Sequence, residues 1–219
     1  SKDSDWDIRF IYVHRPPYYA TVYPGKDNIQ IMDAENNLDF SGWDLRKALG
    51  LLYKGNPPLL EWLNSPIVYI STPEAVSELK TLSQGYYDVK SAIYHYLHMA
   101  KGNWNSYIKD RDQVLIKKYL YIFRPLLACK WIELNKTIAP MEIDKTVPLM
   151  GHNAVQEQFK AMLHLKRTGI ELDTAPTVKD FNYWIDANLA YYQAYVEVLP
   201  KFDKDVQALD KYLFKWIRE

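Results

Sequence analysis

The stretch Ser4-Asp5-Trp6-Asp7-Ile8-Arg9-Phe10-Ile11-Tyr12-Val13-His14 sets two acids, one residue apart, at the head of a run rich in β-branched and aromatic side chains. Such a run predicts a strand. Strand side chains alternate between faces, so Asp5, Asp7 and Arg9 are expected on one side. Two carboxylates converging on one spot repel each other unless a cation lies between them. Magnesium suits that place, because it takes oxygen ligands and keeps positions for water and substrate phosphates. A pair of such ions can stabilise both the attacking and the leaving oxygen of a nucleotidyl displacement. D-x-D alone also describes a solvated strand end, so the surrounding sequence has to decide.

Outward from this strand the first third of the chain reads as short extended runs broken by turns. Pro16-Pro17 ends the first run, residues 18–23 give a second, and Pro24-Gly25 signals a turn. Residues 28–32 and 37–40 supply further extended pieces. A helix follows, with Ser41 as N-cap and Leu45, Ala48, Leu49 and Leu52 at helical spacing, stopped by Gly55 and Pro57. A short helix over residues 59–63 and a strand over residues 67–70 complete this region.

After Pro73 the texture is helical. Val89, Ala92, Ile93, Tyr96, Leu97 and Ala100 form one apolar stripe; Val178, Phe181, Ile185, Leu189, Tyr192, Val196 and Leu199 form another. Val206, Leu209, Leu213, Trp216 and Ile217 form a last one. Residues 116–132 are apolar almost throughout, which predicts a central helix packed on several sides. Pro125 inside it removes one backbone hydrogen bond and predicts a kink near Tyr121. Residues 137–153 and 168–177 read as connections. The expected fold class is therefore α+β: a small mixed β-sheet module over residues 1–72, then an all-helical domain over residues 73–219.

Composition narrows the function classes. Apolar residues make up 48% and charged residues 25% of the 219, as in ordinary folded chains. The 27 basic and 27 acidic side chains cancel, which argues against broad nonspecific DNA binding and leaves a nucleotide or a short RNA as partner. Eighteen Tyr and seven Trp are a high aromatic load, read mainly as helical core and partly as groove lining. The single cysteine, Cys129, excludes an internal disulfide and a multi-thiolate zinc site. With no apolar run near the ~20 residues of a membrane span and no signal-peptide pattern, a cytoplasmic protein without membrane contact is expected.

The context of D-x-D carries a resemblance. S-D-W-D-I-R-F-I-Y-V (residues 4–13) resembles the metal-binding strand of polymerase-β-type nucleotidyltransferases. G-W-D-L-R-K-A-L (42–49), N-P-P-L-L-E-W-L-N-S-P-I-V-Y (56–69) and K-K-Y-L-Y-I-F-R-P-L-L-A-C-K-W-I (117–132) look like one branch of them, the YcgL-like, RNA-repair-associated polymerase-β family. The resemblance spans roughly residues 1–135 and stops before the last 80 or so. It implies a magnesium-dependent enzyme, with two ions when NTP is bound, that moves an NMP from an NTP to a hydroxyl on an RNA end or a protein side chain. Asp5 and Asp7 would hold the metal. It also implies a Gly-Ser phosphate-binding turn roughly ten residues before the acids. That turn is not among these residues, so the sheet module is expected to be N-terminally incomplete and inactive alone.

A third carboxylate is implied on a neighbouring strand. Asp39 in its extended stretch is the expected residue; Asp44 is the other candidate, although S-x-x-D before an apolar helix gives it a capping role. Asp33 and Glu35 read as loop charges. Lys117, Tyr121 and Arg124 fall at i, i+4 and i+7 on one face of the central helix, to meet phosphates or to pair with acids of the first module. Arg9, Arg46 and Lys47 are further candidates for NTP contact, Arg9 being equally able to pair with a carboxylate. His95 and His98 lack further ligands for a metal, and Cys129 reads as inert burial. Two other classes stay open: a nucleotide- or RNA-binding protein without turnover, and a toxin–antitoxin-like partner.

Overall fold

The computed structural model describes residues 6–151, 153–168 and 173–218. Two compact units are distinguished by their internal contacts: Asp88–Phe202, and the described residues up to Tyr87 together with those from Asp203 onward. The chain is mixed α and β, with helix predominating.

The sheet unit is built on three strands in the order β1-β3-β2. Strand β1 (Trp6–Tyr12) runs parallel to β3 (Leu38–Asp44), and β2 (Asn28–Asp33) runs antiparallel to it. β2 and β3 are joined by a tight turn. The Asp33 carboxylate accepts from the backbone N–H groups of Glu35 and Asn36, and Asn37 adopts a left-handed φ of 53°. These bonds, led by that from the Asn36 side chain, hold the Asp33 carboxyl below its usual range. Asp33 is thus a turn-former, which favours the type of residue found there.

Alternation gives the sheet two unlike faces. Asp7, Arg9, Asp39, Ser41, Gln30 and Met32 share one, since Asp7 is paired with Asp39 and Arg9 with Ser41 in register, and Met32 and Gln30 lie across from Asp39 and Ser41. Ile8, Phe10, Phe40, Ile29 and Ile31 share the other. Phe10 lies directly across from Gly42, where an added Cβ would meet the ring at 2.2 Å. Glycine is required there by close approach.

Three expectations for this unit are corrected. Residues 18–23 are not a strand: Pro16–Tyr19 makes a helical turn, α1, with its two prolines pre-set for a first turn. Tyr18 then donates to the Gly25 and Lys26 carbonyls and holds the following loop closed. Ser41 is not the cap of helix α2 (Leu45–Tyr53), because β3 continues through it to Asp44. Asp44 is the N-cap, accepting from the Arg46 N–H at 2.9 Å. Residues 67–70 are irregular: the Ser65 hydroxyl takes the Ile67 N–H and donates to its carbonyl, competing with strand pairing.

α2 buries Leu45, Ala48, Leu49 and Leu52, as their spacing predicts, and Gly55 at φ 71° ends it. Helices α3 (Pro57–Leu63), α4 (Pro73–Gln84) and, from the far end of the chain, α9 (Gln207–Trp216) complete the unit. α9 is fastened by Leu209 and Tyr212, both buried, by Tyr212 donating to the Ala75 carbonyl at 2.8 Å, and by Lys215 pairing with Glu74 and Glu78. The division drawn from sequence at residues 72 and 73 is therefore not how contacts distribute. α4 and α9 go with the sheet unit, because they close on each other, α4 also on α3 and α9 also on α2.

In the other unit α5 (Val89–Tyr107), α6 (Leu120–Asn135) and α8 (Lys179–Val198) pack together, with α7 (Ala154–Arg167) and a two-stranded pair, β4 (Gln113–Leu115) and β5 (Thr174–Pro176). α6 is preceded by a 3-10 turn over Ile116–Tyr119 and contains Pro125. It is buried on several sides, as predicted. Phe123 sits among Phe159, Phe181 and Trp184 at ring distances of 4.6–5.0 Å. Cys129 is fully buried, and burial pushes its thiol far above the ordinary range, so it is inert as expected.

Candidate active site

The polar sheet face brings Asp7, Arg9 and Asp39 together. β1 supplies Asp7 and Arg9 two residues apart, and the parallel register sets Asp39 beside Asp7. Arg9 occupies the space between the two carboxylates. Its Nη2 bonds to Asp7 Oδ1 and, at 2.9 Å, to Asp39 Oδ2. Its Nη1 donates to the Asp39 carbonyl at 2.9 Å and to the Ile8 carbonyl at 3.3 Å.

Burial grades across the cluster. The Asp7 side chain is 69% exposed, Arg9 26% and Asp39 17%. The second Asp39 oxygen, Oδ1, is buried and has no hydrogen-bond partner. A buried carboxylate oxygen left unpaired is costly, and this one lies beside another acid on the same face. Oxygen donors, adjacency and an unsatisfied lone pair fit a hard divalent cation. Among the described residues no group of three or more His, Cys, Asp and Glu is gathered as a metal set. Asp5 lies outside the described residues.

Asp44 is in a different place. It sits five residues further along β3 than Asp39, about 16 Å away at strand rise. It is fully buried, and it accepts from Tyr19 Oη at 2.6 Å as well as from the Arg46 N–H. Burial, with that hydrogen bond second, pushes the Tyr19 phenol well above its ordinary range. Both Asp44 oxygens thus have structural partners.

Arg46 and Lys47 belong to this far end and are not brought to the Asp7–Asp39 pair. Lys47 pairs with Asp27 at 2.8 Å, and the Arg46 guanidinium lies 5.5 and 5.4 Å from the ring centres of Tyr18 and Tyr19. Lys117, Tyr121 and Arg124 lie in the helical unit, and all three are exposed. The premise that they form a basic stripe on a buried face does not hold: α6 turns this edge to solvent, so no anionic partner is demanded. His98 is exposed, and His95 packs edge-on to Tyr96.

Two residues escaped the sequence reading. Ser41, taken for a helix cap, stands beside Arg9, and Gln30 lies across from Ser41. The phase of β2, with Asn28 and Gln30 alternating against Ile29 and Ile31, is the signal that marks Gln30 for the polar face.

The sheet unit is thus a small mixed sheet extended by helices, with Asp7 and Asp39 side by side on its polar face. The sequence matches the RNA repair pathway DNA polymerase beta family over residues 1–215, and the chain belongs to that family. The match runs far past residue 135, so the C-terminal helices are part of the family's body. The chain is also 35% identical over 221 residues to YcgL of Bacillus subtilis (strain 168), described as uncharacterized, covering 100% of this chain and 84% of that protein. No solved structure matches it. Family membership points to nucleotidyl transfer as its class of chemistry. No described helix is long and apolar enough to cross a membrane.

Proposed function

We propose that the protein is a magnesium-dependent nucleotidyltransferase that moves an NMP from an NTP to a hydroxyl acceptor, an RNA end or a protein side chain. The observation that carries this reading is the Asp7–Asp39 pair on the polar sheet face, with Asp39 Oδ1 buried and unpartnered.

Asp7 and Asp39, with Asp5, would hold magnesium, which when bound supplies charge neutralisation for the phosphates. Asp39, the more enclosed acid, would take the proton of the attacking hydroxyl. The acceptor oxygen then bonds to the α-phosphorus as the bond to the departing pyrophosphate breaks. Positioning and charge placement carry most of such a reaction. Arg9 supplies a positive group at the same spot, suited to a carboxylate or a phosphate oxygen.

The test incubates the protein in its full natural length with labelled NTPs, magnesium and cellular RNA or protein. Label is expected on a macromolecule, and Asp7→Asn with Asp39→Asn is expected to abolish it; label persisting in the double variant rejects the assignment.

A second reading, a nucleotide-binding protein without turnover, draws on one observation: Arg9 is already paired with both acids. Saturable NTP binding that is indifferent to magnesium, with no transfer, would favour it.

A further inference from the structure

We infer that the Lys118 surface of the helical unit docks single-stranded nucleic acid, its phosphates on Lys117, Lys118 and Arg124 and its bases on Tyr107 and Tyr121. The Lys118 ammonium lies 3.9 Å from the Tyr107 ring centre and 5.2 Å from that of Tyr121. Both tyrosines are exposed, at 41% and 48% of the residue surface. Lys117 and Arg124 flank Tyr121 by one helical turn on either side and are exposed. Among the described residues none of these three cations has a carboxylate partner.

The surroundings keep the excess. Residues 104–124 hold five cations (Lys109, Arg111, Lys117, Lys118, Arg124) against Asp110 and Asp112, in a chain whose total charge is zero. A solvated lysine needs no aromatic neighbours, and the two tyrosines that Lys118 bridges are both exposed. Stacking of unpaired bases on such rings, beside cations that track the backbone, is the general mode for single strands. A duplex offers no free base faces, and three cations are few for its charge density.

The docking surface stands without any chemistry in the sheet unit. Only its service as the place of the acceptor rests on the proposed transfer reaction.

The experiment follows fluorescence anisotropy of a labelled single-stranded RNA oligonucleotide, the same sequence as DNA, and the matching RNA duplex. The single strands are expected to bind more tightly than the duplex, and the RNA–DNA ratio reads the contribution of the 2′-hydroxyls. Three phosphate contacts predict a salt slope of about −2, or about a twentyfold loss between 50 and 200 mM salt. Lys117→Gln, Lys118→Gln and Arg124→Gln together are expected to weaken binding at least tenfold. Tyr121→Ala weakens it about fivefold or more, while Tyr121→Phe, which keeps the ring, stays near wild type. Lys166→Gln, an exposed cation on α7, leaves affinity unchanged, and binding is read without NTP, which separates docking from transfer. Undetectable binding, duplex preferred over single strand, or a triple variant within twofold of wild type overturns the inference.

Discussion

Arg9 and Asp39 are joined twice, through Nη2 to Oδ2 and through Nη1 to the main-chain carbonyl, both at 2.9 Å. The second bond fixes the guanidinium against the backbone of β3, so the arginine is held in the sheet and not merely drawn to a charge. Since the first also engages Asp7, one side chain occupies the place that a divalent cation would take between the acids.

Arg9 and a metal ion therefore compete. Arg9→Met is expected to raise the affinity for manganese, used as a spectroscopic probe, about three- to tenfold, in line with roughly 1 kcal/mol for a partly exposed ion pair. Without metal the same variant is expected to melt below wild type, because two neighbouring carboxylates are left facing each other. Added magnesium should restore part of the loss. Unchanged manganese affinity would mean that the guanidinium never stands in the metal's way.

Asp39 and Asp44 should separate cleanly on two assays. Asp39→Asn is expected to abolish nucleotidyl transfer with little effect on melting. Asp44→Ala removes a helix cap and strands the Tyr19 hydroxyl, about 2 kcal/mol together, or roughly 4–8 °C in melting temperature. The reverse pattern would exchange their roles.

Alkaline pH should loosen the attachment of α9. Burial, and after it the charge of Glu78, pushes the Tyr212 phenol up to about 12. A raised phenol contributes stability in full below its unfolded value near 10, and that contribution is lost as pH rises toward about 12. Melting temperature should fall across that window, and more shallowly in Tyr212→Phe, which has no proton to lose. Parallel slopes for the two proteins would show that Tyr212 is not what couples α9 to pH.

Gly42→Ala places a methyl 2.2 Å from the Phe10 ring. Overpacking of this kind costs about 1–3 kcal/mol. Phe10→Leu in the same chain should recover part of it, a non-additivity expected of residues in contact. Simple addition of the two single effects in chemical denaturation would argue against the close approach.

Much of this molecule was legible locally. The alternation of Asp7, Ile8, Arg9 and Phe10 foretold which side chains share a face. Helical spacing foretold the buried edge of α2 and the enclosed α6. The extended stretch around Asp39 and the capping signature at Asp44 favour Asp39 as the third acid, and the structure puts Asp39 beside Asp7 and Asp44 at a helix N-terminus. The misreadings arose where side chains overrode local propensity. Tyr18 and Tyr19 bond away from their own segment and convert an apparent strand into a closed turn, and Ser65 does the same to residues 67–70.

What the sequence determined by itself are the features whose causes lie within a few residues: face, cap, turn and breaker, all set by near-neighbour sterics and hydrogen bonding. Only the tertiary structure decided that Asp39 lies level with Asp7, that Arg9 stands between them, that Lys117, Tyr121 and Arg124 face water, and that α9 returns to the sheet. Each of these depends on which distant apolar surfaces close against one another. That choice is made by burial over the whole chain, and no short window of sequence contains it.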